Sequence, residues 1–223
     1  MVNLKISVIL SVYNDENNIE ESIESLLSQT YKNFELLISD DCSTDNSYEK
    51  IMKYSSYKNF SILKNEQNIG LTKSLNRLVN ISKGKYIFRQ DSDDISHPTR
   101  FEKQIEILEN TKYQVCTTRA INKQNEKKIP GYSFYLPNRY LMKFKNPFIH
   151  GTLGIDKNLL NSLGNYDENF YYSQDYKLFT DLYKNNIKIW VIKEPLYSLN
   201  TVGSISTNKR ELQKDYFDKA RRQ

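Results

Sequence analysis

The chain has 223 residues, 38% hydrophobic and 26% charged, a composition that supports one packed domain and argues against disorder. Two cysteines and two histidines are too few for a disulfide framework or a Cys/His zinc site. No apolar run approaches the ~20 residues of a membrane span. The opening MVNLKISVIL lacks a secretory h-region and cleavage site, so the cytoplasm is the expected compartment.

The net charge of +5 is unevenly spread. Lys123, Lys127, Lys128, Arg139, Lys143 and Lys145 stand in a segment whose one acidic residue is Glu126. The tail from Lys209 to Gln223 carries six basic and three acidic residues. Such runs suit an anionic lipid surface, a phosphorylated substrate or plain solvation. RNP-like aromatic motifs are absent, so no nucleic-acid partner is expected.

In chain order, ISVILSV (6–12) reads as a strand buried on both faces. Asn18 is placed to cap a helix with Ile19, Ile23, Leu26 and Leu27 on one stripe. FELLISD (34–40) is a second strand, followed by a helix around Ser47–Tyr54. FSILKN (60–65) is a third, and the next helix aligns Leu71, Leu75, Leu78 and Val79. YIFRQ (86–90) is a fourth strand. Strands alternating with helices imply right-handed crossovers and a largely parallel sheet. Ligands of such sheets bind beyond the carboxyl ends of the strands, so Tyr13–Asp15, Asp40–Ser43 and Asp91–Asp94 are expected in one crevice.

The second half is less regular. A helix is expected over Thr99–Asn110 and another over Gln174–Asn185, with IKIWVI (187–192) as a late strand. The pattern marks no strand between these helices. One domain is expected: a nucleotide-binding half (1–98), an acceptor half (99–207) and a basic helical tail (208–223).

Two acidic constellations bear on chemistry. RQDSDD (89–94) places Asp91, Asp93 and Asp94 at a strand end. A D-x-D there suits a hard cation whose remaining positions are filled by water and substrate phosphates; a solvated acidic loop is the plainer alternative. ISDDCSTDNS (38–47) puts Asp40 and Asp41 where they can accept hydrogen bonds from a base or ribose, or serve an ordinary strand-to-helix turn. No G-x-x-x-x-G-K-[ST] or G-x-G-x-x-G is present, so phosphates must be neutralised by metal or side chains.

These motifs in order (strand–Y-N–helix, Q-T-Y, D-D-x-S-T-D, N-x-G-L, G-x-Y-I, D-x-D-D) resemble the family 2 glycosyltransferases over nearly all of residues 5–205. The segments DDISHPTRFEKQ and NPFIH are similar to the branch that builds bacterial lipopolysaccharide and exopolysaccharide. The resemblance implies a GT-A fold of the α/β class, Rossmann-like with a mostly parallel central sheet, and metal-dependent inverting transfer. Ser11, Tyr13 and Asp15 would line the nucleotide, and Asp40 and Asp41 would hold the base edge. Lys73 is either a base or phosphate contact or a solvated lysine. Asp91 would address the ribose and Asp93 the Mn2+ or Mg2+ ion, while Asp94 caps the next turn.

The same resemblance makes Asp175 the general base. Gln174 stands where the family has glutamate, and Ser198 and Asn200 stand where many relatives have arginine and histidine. His150 either faces a sugar or packs. Trp190, Tyr166, Tyr171 and Tyr172 either stack on sugar rings or pack. The implied donor is a UDP-sugar, and the implied acceptor a lipid-linked glycan at the inner membrane face. Two rivals remain: a nucleotide-sugar or glycan-binding module without activity, and a magnesium-dependent phosphatase, whose D-x-D would follow the first strand.

Overall fold

The structure, a computed structural model, describes residues 4–202 and 210–222. The expected boundary at 207/208 lies outside the described residues. The first half forms β1 (Ile6–Val12), α1 (Ile19–Leu27), β2 (Phe34–Asp40), α2 (Ser47–Met52), β3 (Phe60–Lys64), α3 (Leu71–Ile81) and β4 (Tyr86–Asp91). β1 pairs in parallel with β2 and β4, and β2 with β3. This is the parallel arrangement that the alternation of strands and helices predicts.

β1 explains itself by period. Ile6, Val8, Leu10 and Val12 enter one apolar cluster with Ile19, Ile23 and Leu26 of α1. Ile9 enters another, with Leu75, Leu78 and Val79 of α3. Alternate side chains of a strand point to opposite faces, so a continuous apolar run is what a two-faced central strand requires.

After β4 come β5 (Ile95–Ser96), α4 (Arg100–Asn110), β6 (Val115–Asn122), β7 (Lys128–Ile129), α5 (Asn138–Leu141), β8 (Gly154–Asp156), α6 (Lys157–Ser162), α7 (Gln174–Lys184), β9 (Ile189–Leu199) and α8 (Arg210–Arg222). The sheet order is β3-β2-β1-β4-β8-β6-β9-β5, with β7 on β6. β8 runs antiparallel to both β4 and β6, and so joins the parallel half to a mixed half.

Two differences from the sequence pattern have physical causes. β6, VCTTRAIN, escapes an apolar-run reading because Thr117, Thr118 and Arg119 interrupt it, yet all three are buried. Two of the three side chains find partners: Thr118 Oγ1 donates to Arg119 O at 2.8 Å, and Arg119 Nη2 donates to Pro130 O at 2.8 Å. β9 begins within the expected 187–192 but continues to Leu199. Pro195 does not stop it because it falls opposite Arg119, where the register with β6 is irregular.

Candidate active site

The carboxyl ends of β1, β2 and β4 lie side by side: Val12 is in register with Asp40, and Ser11 with both Ser39 and Asp91. The loops that follow are tied together. The Asn14 amide donates to Ser43 Oγ at 3.0 Å, and the Asp15 amide to Ser47 Oγ at 2.8 Å. Asn18 flanks α1 as expected, but its Nδ2 donates to Asp15 Oδ1 at 2.5 Å rather than capping the helix. Tyr13 is half exposed beside them.

Asp40 is fully buried; its Oδ2 accepts from the Ser43 amide at 3.2 Å, and its Oδ1 has no hydrogen-bond partner among the described residues. Asp41 is occupied on both oxygens. Its Oδ1 accepts from Asn65 Nδ2 at 2.7 Å and the Ile69 amide at 2.9 Å, and its Oδ2 from the Gly70 amide at 2.8 Å. Gly70 has φ +86°, a conformation side-chain-bearing residues rarely adopt, and a Cβ there would meet Tyr171 Cε2 at 2.5 Å. Asp41 thus shapes the N-x-G-L turn, with half-exposed Tyr171 against it. Lys73 is exposed on the first turn of α3 and makes no hydrogen bond or ion pair among the described residues.

The acidic turn rests on three buried polar side chains that the sequence reading passed over. Arg89 is interior; its Nη2 pairs with Asp91 Oδ1 at 2.5 Å, and its Nη1 reaches Ile9 O at 3.3 Å. Gln90 Nε2 donates to Asp94 O at 2.8 Å, and its Oε1 accepts from Ser96 Oγ at 2.6 Å. Arg100 of α4 donates to Arg89 O at 3.1 Å and Gly151 O at 2.9 Å. The available signal was a polar RQ pair closing an otherwise apolar strand. Gln29, of the Q-T-Y motif, joins the same support: its Nε2 donates to His97 O at 2.8 Å, and its Oε1 accepts from the Phe101 amide at 3.1 Å.

Asp94 differs from its expected capping task. Its Oδ1 accepts from the Asn200 amide at 2.6 Å, stapling the end of β9 to the turn. Burial, then the charges of Asp91 and Asp93, raise its carboxyl well above the ordinary range. Asn200 Oδ1 accepts from Gln124 Nε2 at 2.6 Å, tying two loops together, and Ser198 lies within β9 in register with Ile95 of β5.

Asp93 is half-buried, and no side-chain partner satisfies it among the described residues. Burial, then the charges of Asp91 and Asp15, push its carboxyl up to about 7. A site with this excess of negative charge fits a divalent cation. Among the described residues no group of three or more His, Cys, Asp or Glu could hold a metal. An ion at Asp93 would therefore complete its shell with water and substrate oxygens, as magnesium-type sites do.

Asp175 sits in the first turn of α7, and its Oδ2 accepts from Asn146 Nδ2 at 2.7 Å. Ser173, just before the helix, has φ +55°, and its Oγ donates to Gln213 O of α8 at 3.0 Å. Gln174 is buried, which favours packing over acceptor contact. Tyr176 stacks on Phe217 of α8 with centroids 4.0 Å apart. Asp175 borders a cleft of about 590 Å³, together with Asn146, Phe144, Lys145, Lys214 and Arg221.

Partly buried His150 meets buried Tyr166. His150 Nε2 and Tyr166 Oη lie 2.9 Å apart. Desolvation, aided by the Arg89 charge, pushes the imidazole down to about 4, against the pull of both Asp91 and Asp175. Burial likewise raises the Tyr166 phenol, with Asp91 and Asp175 again adding to the rise. The turn after β4 and the start of α7 therefore act on the same neutral His150–Tyr166 pair. Trp190, by contrast, packs edge-on against Tyr113 with centroids 5.0 Å apart.

A parallel half with an acidic turn at the end of β4, continued through antiparallel β8, is the architecture of a GT-A glycosyltransferase. Residues 7–177 match the family described as Glycosyl transferase family 2, and the chain belongs to it. It is 33% identical over 205 residues to EpsE of Bacillus subtilis (strain 168), covering 87% of this chain and 72% of that one. It is 33% identical over 186 residues to WfgD of Escherichia coli, covering 81% of this chain and 70% of that one. WfgD is named a UDP-Glc:alpha-D-GlcNAc-diphosphoundecaprenol beta-1,3-glucosyltransferase. In fold it resembles S. aureus TarS solved with UDP-GlcNAc, with TM-score 0.80 and 22% identity, over 95% of this chain. It spans 64% of the TarS chain.

Proposed function

We propose that this chain transfers a sugar, with inversion, from a UDP-sugar to a hydroxyl of a lipid-linked glycan during bacterial surface-polysaccharide synthesis. The observation that carries the reading is the acidic turn at the end of β4, where Arg89 pairs with Asp91 and Asp93 has no side-chain partner among the described residues, in a chain of this family. The donor and acceptor classes follow by likeness to WfgD, whose name states both.

In this reading Ser11, Tyr13 and Asp15 line the nucleotide, buried Asp40 holds the turn at Ser43, Asp41 holds the loop at Gly70, and Lys73 reaches toward the base or phosphates. Asp91, aligned by Arg89, meets the ribose, and Asp93 holds the divalent cation. That ion supplies neutralisation of the departing nucleoside diphosphate. Asp175 takes the proton of the acceptor hydroxyl as its oxygen attacks C1, opposite the breaking bond to the diphosphate. Asn146 aims the carboxylate. Neutral His150 and Tyr166 add no charge near Asp91 and Asp175. The acceptor's lipid places the reaction at the inner face of the cytoplasmic membrane.

The test is incubation with UDP-sugars, manganese and a diphosphate-lipid-linked GlcNAc acceptor, following UDP release and the anomeric configuration of the product. Manganese-dependent transfer with inversion is expected. Donor binding without transfer to any acceptor would leave a binding module, and phosphate release from simple esters without sugar transfer would leave a phosphatase; either overturns the reading.

A further inference from the structure

Residues 130–145, GYSFYLPNRYLMKFK after Pro130, face the solvent with the wrong side chains for a solvated surface. Tyr132 is 96% exposed, Tyr135 77%, Phe144 64%, Tyr140 56% and Leu136 50%. Isolated exposed apolar residues are ordinary, but a contiguous group of them marks a contact surface. These are contiguous. The Tyr140 and Phe144 rings lie 5.3 Å apart, and Lys145 Nζ donates to Ser133 Oγ at 3.0 Å, joining the two turns. Leu141 and Met142 are buried beneath, so the segment is anchored and its outward aromatics are held there.

Charge decides what the surface fits. Exposed Lys127, Lys128, Arg139 and Lys143 stand in the same stretch of chain as the rings and form no ion pair among the described residues. Glu126 is the acidic residue of the stretch. Amphipathic rings in a segment with unpaired cations match the headgroup layer of an anionic bilayer, where phenol and ammonium groups meet phosphate while rings enter the acyl boundary. A second copy of the chain fits poorly, because a two-fold contact would press the same cations together. The patch is also continuous with the site: Phe144 and Lys145 border the cleft beside Asp175.

We propose that residues 132–144 are a membrane-docking surface that seats the protein on anionic lipid and turns the Asp175 cleft toward the bilayer. The orientation rests on the acceptor reading of that cleft; the docking itself does not.

The test is sedimentation of the full chain with vesicles of phosphatidylglycerol and phosphatidylcholine, against vesicles of phosphatidylcholine alone. Binding is expected only with the anionic lipid and should weaken as salt rises. The triple change Tyr132→Ser, Tyr135→Ser, Leu136→Ser should lower partitioning at least tenfold. Lys127→Gln with Lys128→Gln should do likewise and flatten the salt dependence. In Tyr135→Trp, brominated lipid should quench the new fluorescence. Each variant should keep the wild-type melting curve and its transfer to a short, water-soluble acceptor. Equal binding to both vesicles, indifference to the aromatic changes, or a dimer in light scattering that the triple change dissolves would overturn the proposal. Vesicle binding without transfer to any acceptor would strike the catalytic reading and leave the docking surface standing.

Discussion

Asp93 is ionised at a cost in the free protein, because burial, Asp91 and Asp15 all favour its neutral form. A carboxyl whose folded pKa is raised binds more protons in the folded state, so it lowers stability as pH rises from the ordinary carboxylate value to about 7. Asp93→Asn should therefore raise the melting temperature of the ligand-free protein at pH 8 by roughly 4–8 °C, for about 2 kcal/mol, and leave it unchanged near pH 4. The same variant should lose the manganese dependence of UDP-sugar binding in calorimetry. His150 works with the opposite sign to Asp93. Its folded pKa, about 4, lies below the ordinary 6.5, so the unfolded chain binds the proton first and stability falls as pH drops through that window. His150→Gln should flatten that part of a pH series of thermal melts. Asp175→Asn should cut turnover by roughly 10²–10⁴-fold with donor affinity preserved, read by single-turnover kinetics beside equilibrium UDP-sugar binding.

At the scale of elements, the acidic turn is held by what lies behind it. The 3-10 turn at His150–Thr152 brings Gly151 so close that a Cβ would meet Asp91 Oδ2 at 2.6 Å and overlap the Tyr197 hydroxyl. Gly151→Ala should displace Asp91 and weaken donor binding at least tenfold while the circular dichroism spectrum stays native. Arg100 fastens α4 to the end of β4 and to this turn. Arg100→Met strips buried carbonyls of their donor and should cost about 3 kcal/mol, seen as a melting temperature lower by roughly 6–12 °C. The first four strands were legible because runs such as ISVILSV carry the mark of two buried faces. β6 was not, because Thr117, Thr118 and Arg119 break its apolar run, and what buries them, such as Thr152 bonded to the Thr118 amide, comes from other segments. Such partners leave no local period to read.

At the scale of the whole molecule, the two halves of the chain supply different groups to the proposed reaction. The acidic turn comes from the parallel half and Asp175 from the second half, with α8 packed behind it through Phe217 and Tyr176. A chain ending at residue 202 should still bind a UDP-sugar but lose transfer, because α7 would lose the stacking and the Ser173–Gln213 bond that seat it; calorimetry and a transfer assay separate the two effects.

The amino-acid order alone determined the alternation of the first half and placed Asp40, Asp41, Asp91 and Asp93 at strand ends, since both follow from spacing along a few consecutive residues. Its run of motifs also pointed to the family. Only the tertiary structure decided that Asp41 is spent on the turn at Gly70, that Asp94 staples β9, and that His150 meets Tyr166 beside the Gly151 that abuts Asp91. Those outcomes depend on desolvation and on hydrogen bonds between distant segments, which exist once the sheet has closed and in no stretch of sequence before it.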